Sequence, residues 1–252
     1  MTIDLSGKSI LISGAGRGIG RALALGLAAE GARIGVLELE RKHAEEVVAE
    51  IAEIAGAPAA LAVEADVGAE AAVAAAAATL DKEWGQVHGL INNAAWIPPR
   101  QPILDHDTAA WERVLRVNVV GSFLTTKHIA PLMIRTGGGR IIYLSSAIGV
   151  QANPGQAAYG GSKAAVNILS NVAHQELAGS GIRTVAVAPG LTDSPGMHDS
   201  LGEDYIARVS AAYPSGRLGQ PSDLVGLAAF LCSDLANHLS GTVITVRPPA
   251  NR

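Results

Sequence analysis

Lys8-Ser9-Ile10-Leu11-Ile12-Ser13-Gly14-Ala15-Gly16-Arg17-Gly18-Ile19-Gly20 is the stretch whose reading decides the fold. A short apolar run ends in a cluster of glycines. Arg21 to Glu30 beyond it is rich in Ala and Leu with a helical pattern, so the whole reads as strand, tight turn, helix. Glycines at such a junction let the backbone turn sharply and approach a pyrophosphate. The N-terminus of the following helix offers that anion unpaired N–H groups and the positive end of its dipole. The spacing is GxxxGxG rather than the commoner GxGxxG, and a glycine turn alone fits an ordinary strand-to-helix connection equally well. The next strand has to supply a second element.

Arg33-Ile34-Gly35-Val36-Leu37 is that strand, and it ends in Glu38, twenty residues beyond Gly18. In a dinucleotide site an acid at this point accepts hydrogen bonds from the adenosine ribose and repels a 2′-phosphate, so NAD is expected over NADP. Arg17 is the opposing hint, a cation inside the turn that could contact a 2′-phosphate. Its other reading is a surface charge beside the pyrophosphate.

The remaining chain alternates in the same way. A helical stretch from Arg41 to Ala55 precedes a strand at Ala59-Leu61-Ala62-Val63, which closes at Asp66-Val67. Asp66 is a candidate acceptor for the adenine amine with Val67 packing on the ring, and a helix N-cap is the alternative. The alanine-rich run from Ala69 to Thr79 is strongly helix-forming. Val87-His88-Gly89-Leu90-Ile91 is a fourth strand ending in Asn92-Asn93-Ala94-Ala95, where buried amides must be bonded and are expected to tie strands together beside the cofactor. Trp96-Ile97-Pro98-Pro99-Arg100 is a loop at a strand's carboxyl end, which makes Trp96 a candidate for the substrate pocket, with simple packing as the alternative. Asp107 to Met133 reads as one long amphipathic helix with Asp107-Thr108 as its cap, and Asn118 on its apolar side demands a partner. Ile182 to Ala188 is a strand ending in Pro189-Gly190. Leu191 to Ser215 reads as a mobile flap with a short helical piece near Tyr205. A last helix runs from Gln220 to Cys232, and Thr242-Val243-Ile244-Thr245-Val246 is the final strand. Strand and helix alternating without hairpin signals imply an α/β fold: a doubly wound, Rossmann-like parallel sheet covered on both faces, a three-layer αβα sandwich, in a single domain spanning 1–252.

Composition agrees. The 252 residues are 48% hydrophobic and 17% charged, with 29 Gly and a net charge of −4, which suits buried strands and tight turns and leaves no basic field for nucleic acid. One cysteine, Cys232, excludes an internal disulfide and lies in an apolar run. Met1 to Lys8 lacks the features of a secretory signal and no window reaches a membrane span, so a cytoplasmic protein without membrane contact is expected. The partner expected is a small molecule, and no metal site is expected.

One further stretch carries chemistry. Arg140-Ile141-Ile142-Tyr143-Leu144 reads as a buried strand leading to Ser145-Ser146, and a helix from Ala157 places Tyr159 and Lys163 four residues apart on one face. A phenol of pKa ~10 is a poor base at neutral pH, and an adjacent ammonium moves it toward the working range. Ser146 could hydrogen-bond a substrate oxygen as charge develops there. The other reading is a half-buried Tyr beside a solvated Lys.

With these motifs in order, Ser13-Gly14-x-x-x-Gly18-x-Gly20, Asp66, Asn92-Asn93-Ala94-Ala95, Asn118, Ser146, Tyr159-Gly160-Gly161-Ser162-Lys163 and Pro189-Gly190, the chain resembles the short-chain dehydrogenase/reductase family nearly end to end. The resemblance implies Tyr159 as catalytic acid/base and Ser146, thirteen residues before it, as the residue orienting the substrate oxygen. It implies Lys163 as holder of the nicotinamide ribose and Asn118 as the anchor of a water in a proton relay. Cofactor contacts are then expected from Ser13, Gly14, Gly16, Arg17, Gly18, Ile19 and Gly20 in the turn. Glu38, Asp66, Val67, Asn92 and Ala94 follow along the next strands, and Pro189, Gly190 and Thr192 join Tyr159 and Lys163 on the nicotinamide side. Substrate contacts are expected from Ser146, Trp96, Ile148, Gln151, Gln156, Leu191 and Met197.

Ser13, Ala95, Val185 and Ser194 depart from the family's usual Thr, Gly, Asn and Thr, and Arg247-Pro248-Pro249 replaces its usual C-terminal Val-Asp-Gly-Gly. The activity implied is NAD-dependent interconversion of a small or medium secondary alcohol and its carbonyl by a homo-oligomer, tetramer or dimer. The alternatives are an NADP-dependent carbonyl reductase of ketoacyl type and a dinucleotide-binding protein without turnover.

Overall fold

The computed structural model describes residues 3–213 and 216–247. Its centre is a seven-stranded parallel sheet in the order β3-β2-β1-β4-β5-β6-β7. The strands are β1 Ser9–Ser13, β2 Arg33–Glu38, β3 Leu61–Glu64, β4 Gly89–Asn92, β5 Gly139–Leu144, β6 Ile182–Pro189 and β7 Thr242–Val246. Each was legible as an apolar run, and the bounds of every strand but β7 differ from the sequence expectation by one or two residues at an end.

Alternation along each strand divides the interior. Ile10 and Ile12 of β1 and Ile142 and Leu144 of β5 face one apolar layer, packed under α1 Gly18–Ala29, α2 Arg41–Ala52 and α9 Val225–Cys232. Leu11, Ile141 and Tyr143 face the opposite layer, under α3 Glu70–Trp84, α5 Gly121–Ile134 and α6 Ala157–Leu177. A fully buried side chain such as Leu11, Ile34 or Leu90 contributes roughly 1.5–3 kcal/mol. The sheet is therefore held from both faces, and the doubly wound αβα arrangement is the one expected. Among the described residues no helix is long and apolar enough to cross a membrane.

Two segments differ from the sequence reading. The expected single helix over Asp107 to Met133 is broken: α4 Thr108–Leu115 passes into a π-helical turn, Arg116–Val120, and then into α5. Asp107 does cap it, accepting from the Ala109 and Ala110 amides. The break falls at Asn118, whose buried amide bonds outside its own helix while Ser122 donates to its carbonyl. The flap holds two helices, α7 Pro195–Ser200 and α8 Glu203–Ala212, rather than one, over a small cluster of Met197, Leu201 and Leu218. Residues 214 and 215 of the flap, and Pro248 and Pro249, lie outside the described residues.

The strand order reverses between β1 and β4, so β1's helix goes to one side of the sheet and β4's to the other. That switch point opens a crevice at the strands' carboxyl ends.

Candidate active site

The crevice floor is the glycine turn. Gly14 has φ +63°, and a Cβ there would lie 2.7 Å from the Ala94 Cα; a Cβ on Gly20 would lie 2.1 Å from the Gly14 carbonyl oxygen. Only glycine fits where β1, β4 and α1 converge this closely. Asn93 then locks the turn to β4: its Nδ2 donates to the Ser13 and Gly14 carbonyls at 3.0 and 2.8 Å. The Ser13 hydroxyl in turn accepts from the Asn93 and Ala94 amides, each at 3.1 Å. Helix α1 starts at Gly18 with no side-chain cap, so its first N–H groups stay free to meet an anion.

At the end of β2, Glu38 accepts from the Gly16 amide at 2.9 Å and from the Leu39 amide at 2.9 Å. The carboxylate therefore stands over the glycine turn, where the ribose hydroxyls of a dinucleotide would lie. The glycine cradle, the uncapped helix terminus, the strand-end acid and a cavity of about 320 Å³ all fit an adenine dinucleotide. Gly14, Arg17, Gly18, Ile19, Glu38 and Ala94 line that cavity, as do Asp66, Val67, Tyr159, Lys163 and Pro189. Asp66 also accepts from the Gly68 amide at 2.8 Å in a local turn; it is not the N-cap that was its alternative reading, since α3 begins at Glu70 behind Ala69 without a side-chain cap.

Other expected cofactor residues stand elsewhere. Ser13 and Gly20 lie behind the lining as structural partners, and Gly16 is spent on Glu38. Asn92 turns into α5, where it bonds Thr125 and Thr126, and its neighbour Asn93 lines the crevice instead. Gly190 and Thr192 line the neighbouring cavity. Arg17 pairs with Asp199 of α7 at 3.1 Å, tying the glycine turn to the flap.

That neighbouring cavity, about 400 Å³, lies beneath the flap and shares Ile19, Ile97, Ser145, Tyr159, Pro189 and Ser194 with the dinucleotide crevice. Ser146, Ile148, Gln151, Gln156, Leu191 and Met197 line it as expected. Trp96 does not. Its ring lies in the dinucleotide crevice, 4.5 Å beneath the Arg113 guanidinium, because Asn118 clamps its backbone: Oδ1 accepts from the Trp96 amide at 2.8 Å and Nδ2 donates to its carbonyl at 3.2 Å. Sequence reasoning missed Ile97, Arg100, Tyr205, Tyr213 and Arg247 in the wall of the substrate cavity, and Arg113 in that of the crevice. Arg100 could have been found by the argument applied to Trp96, since it ends the same loop. Tyr205, Tyr213 and Arg247 carry no local signal.

The chemical groups meet where the cavities join. Strand β5 carries Ser145 and Ser146 to the junction, and α6 presents Tyr159 to both cavities and Lys163 to the crevice. Lys163 is buried, its Nζ 5.7 Å from the Tyr159 ring centre and donating to the Leu144 carbonyl at 2.6 Å. Ser145 steadies the same residue by donating to the Lys163 carbonyl at 3.2 Å. Asn118 donates to the Ser162 hydroxyl at 3.0 Å, which donates to the Tyr159 carbonyl at 2.7 Å. Its side-chain amide is thereby fully engaged in holding the Trp96 loop and α6.

One expectation is corrected. Lys163 was expected to lower the Tyr159 pKa. Instead burial pushes the phenol up to about 12, opposed by a hydrogen bond from Ser146, and burial pushes Lys163 down to about 8. The ammonium donates to the Leu144 carbonyl, and burial of the phenol outweighs its effect.

The chain matches the family model described as Enoyl-(Acyl carrier protein) reductase over residues 14–247. It is 35% identical over 251 residues to 2-(S)-hydroxypropyl-CoM dehydrogenase 3 of Xanthobacter autotrophicus, covering 98% of this chain and 97% of that one. It is 36% identical over 239 residues to the 3-oxoacyl-[acyl-carrier-protein] reductase FabG of Staphylococcus aureus, covering 95% and 96%. The crystal structure of a 7α-hydroxysteroid dehydrogenase complexed with NADH and 7-oxo glycochenodeoxycholic acid superposes with a TM-score of 0.91 at 32% identity, covering 98% of this chain and 95% of that one.

Proposed function

The chain belongs to the short-chain dehydrogenase/reductase family, oxidoreductases that act on CH–OH groups with a nicotinamide cofactor, and from that premise we propose NAD-dependent interconversion of a small or medium secondary alcohol and its carbonyl. One observation carries the reading: Tyr159 is the ionisable side chain that lines both cavities, so its hydroxyl can reach a substrate oxygen in one while a dinucleotide occupies the other.

The bound nicotinamide supplies the acceptor or donor of the hydride. The chain's own residues manage the proton. In oxidation Tyr159 takes the hydroxyl proton of the alcohol, and in reduction it returns one to the carbonyl oxygen. Ser146 donates to that oxygen as negative charge builds on it. Lys163 places an ammonium one helical turn from the phenol, and Ser145 and Asn118 are positioning residues that hold the backbone of α6. With its pKa near 12 the phenol keeps its proton at neutral pH, the form that reduces a carbonyl. Alcohol oxidation needs the phenolate and therefore rises with pH.

Glu38 supports NAD, since a 2′-phosphate beside its carboxylate would meet like charge. Arg17, the feature that favoured NADP, is held by Asp199. Homo-oligomer formation fits the exposed apolar side chains Phe123 on α5 and Ile168 and Val172 on α6.

Dissociation constants for NADH and NADPH from nucleotide fluorescence, followed by a panel of secondary alcohols, test the reading. Tighter NADH binding with turnover of panel members is expected. Preference for NADPH would transfer the protein to the carbonyl-reductase alternative, and tight NADH binding without any turnover would favour a dinucleotide-binding protein.

A further inference from the structure

The arginines of this chain have two kinds of partner. Arg17, Arg21, Arg41, Arg135 and Arg217 each pair with a carboxylate. Among the described residues Arg100 and Arg247 have no such carboxylate, and both line the substrate cavity. No Asp or Glu is among the described residues lining that cavity, in a chain whose acids outnumber its Lys and Arg, 23 against 19. The cavity is therefore a positive enclosure in a negative protein.

Arg100 is the better placed of the two. It is half-buried, follows Pro98-Pro99 at the carboxyl end of β4, and is fixed on two sides. Its Nη2 donates to the Pro154 carbonyl at 2.6 Å, and its guanidinium lies 4.7 Å from the centre of the Tyr205 ring. Tyr205 belongs to α8 of the flap, so this stack joins the flap to the body of the protein. A guanidinium held by its face and one corner keeps its other N–H groups in a fixed plane, the geometry that binds an oxyanion through paired hydrogen bonds. Nearby, Asn153 and Gln156 line the same wall with neutral amides. Arg247 is exposed and lines the cavity beside Gly190, its Cβ 3.4 Å from where a Gly190 Cβ would lie. There it adds positive potential at longer range.

The geometry points to a substrate that carries an anionic group, a carboxylate, sulfonate or phosphate ester, on the chain extending from its reacting carbon, with that group held by Arg100 beneath the flap. This rests on the cavity being the substrate pocket of the oxidoreductase proposed above. Arg100 acts on specificity: it touches the far end of the substrate and leaves the chemistry at Tyr159 unchanged.

Methyl ketones ending in a carboxylate, from 4-oxopentanoate to 7-oxooctanoate, together with their methyl esters, test this in the reductive direction with NADH. At the chain length that spans the cavity, kcat/KM for the acid is expected to exceed that for its ester at least about tenfold, with the difference in KM. Arg100→Gln brings the ratio of kcat/KM for the acid to that for the ester down to about one, through the KM of the acid, and Arg100→Lys restores part of the preference. Esters used as well as acids by the wild-type protein, or a preference that survives Arg100→Gln, would overturn the assignment. Binding of unreactive heptanoate and heptanamide to the NADH complex, measured by calorimetry, separates the two proposals. Heptanoate bound through Arg100 without turnover of any ketone would sink the oxidoreductase reading and leave the anion site standing. Heptanoate bound no better than the amide would sink the anion site alone.

Discussion

The dinucleotide crevice and the substrate cavity share a wall but are built from different material. The crevice is made of strand ends and backbone: a glycine turn too tight for any Cβ, an uncapped helix, and an asparagine bonded to two carbonyls of the neighbouring strand. The substrate cavity is made of side chains from loops and from the flap helices α7 and α8, joined to the body by contacts such as Arg17 with Asp199 and Arg100 with Tyr205. One region is fixed by close packing, where a single methyl group is felt; the other is fixed by contacts that can be exchanged one at a time. A rigid cofactor floor with an adjustable substrate roof lets one scaffold keep its chemistry while its substrate changes.

The sharpest way to break that contrast is Gly14→Val. A β-branched residue at φ +63°, with its Cβ 2.7 Å from the Ala94 Cα, is expected to abolish measurable NADH binding and lower the melting temperature by several degrees. Near-normal nucleotide fluorescence titrations would show that the floor yields. A smaller effect is expected from Glu38→Gln, which removes the charge but keeps the size. The ratio of NADPH to NADH dissociation constants should shift toward NADPH by roughly tenfold, since one like-charge contact is relieved, and an unchanged ratio would remove Glu38 from cofactor choice.

Lys163→Met probes the junction through stability. The folded-state pKa of Lys163, about 8, lies below its unfolded value of 10.5. Below pH 8 both states are charged and the full burial penalty, roughly 3 kcal/mol, is present; as pH rises toward 10.5 the folded state sheds the proton first and the penalty is relieved. Stability measured by urea unfolding should therefore gain less between pH 8 and 10 in Lys163→Met than in the wild-type protein, while alcohol oxidation falls. A gain with pH equal to that of the wild type would contradict the assignment. The smallest effect belongs to the flap: Asp199→Asn, at an exposed pair, should change the NADH release rate by no more than about threefold in stopped flow, and only at low salt. A change of tenfold or more would make the flap as fixed as the floor.

The same contrast explains what could be read in advance. The glycine turn and the apolar strands are local patterns, and Glu38 follows from strand length, so the outline of the crevice was legible, whereas which of the turn and strand-end residues face it, and that Ser13, Gly16, Gly20 and Asn92 stand behind it, was not. Asn118 was conspicuous as a buried amide in a helix, yet the π turn around it was not legible, because its cause is the Trp96 backbone and Ser162, which are distant in sequence. Trp96 was drawn away from the substrate cavity by the same contacts. Asn92 and Asn93 were recognised as strand ties, but which one faces the crevice depends on the register of β4 against α5. Tyr205 and Tyr213 reach the substrate cavity only because the flap folds over it, and Arg247 only because β7 pairs beside β6, which brings its end to Pro189. The direction of the Tyr159 shift was missed for a related reason: the spacing to Lys163 is in the sequence, whereas the burial of the phenol and the carbonyl that claims the ammonium are not.

The central claim is that one phenol serves both cavities. Stopped-flow measurement of hydride transfer to a ketone in Tyr159→Phe, with NADH affinity measured on the same sample, tests it most directly. The account predicts hydride transfer slowed by at least about a thousandfold, the scale of losing a positioned general acid, with the NADH dissociation constant within about twofold of wild type. Hydride transfer at the wild-type rate would contradict it.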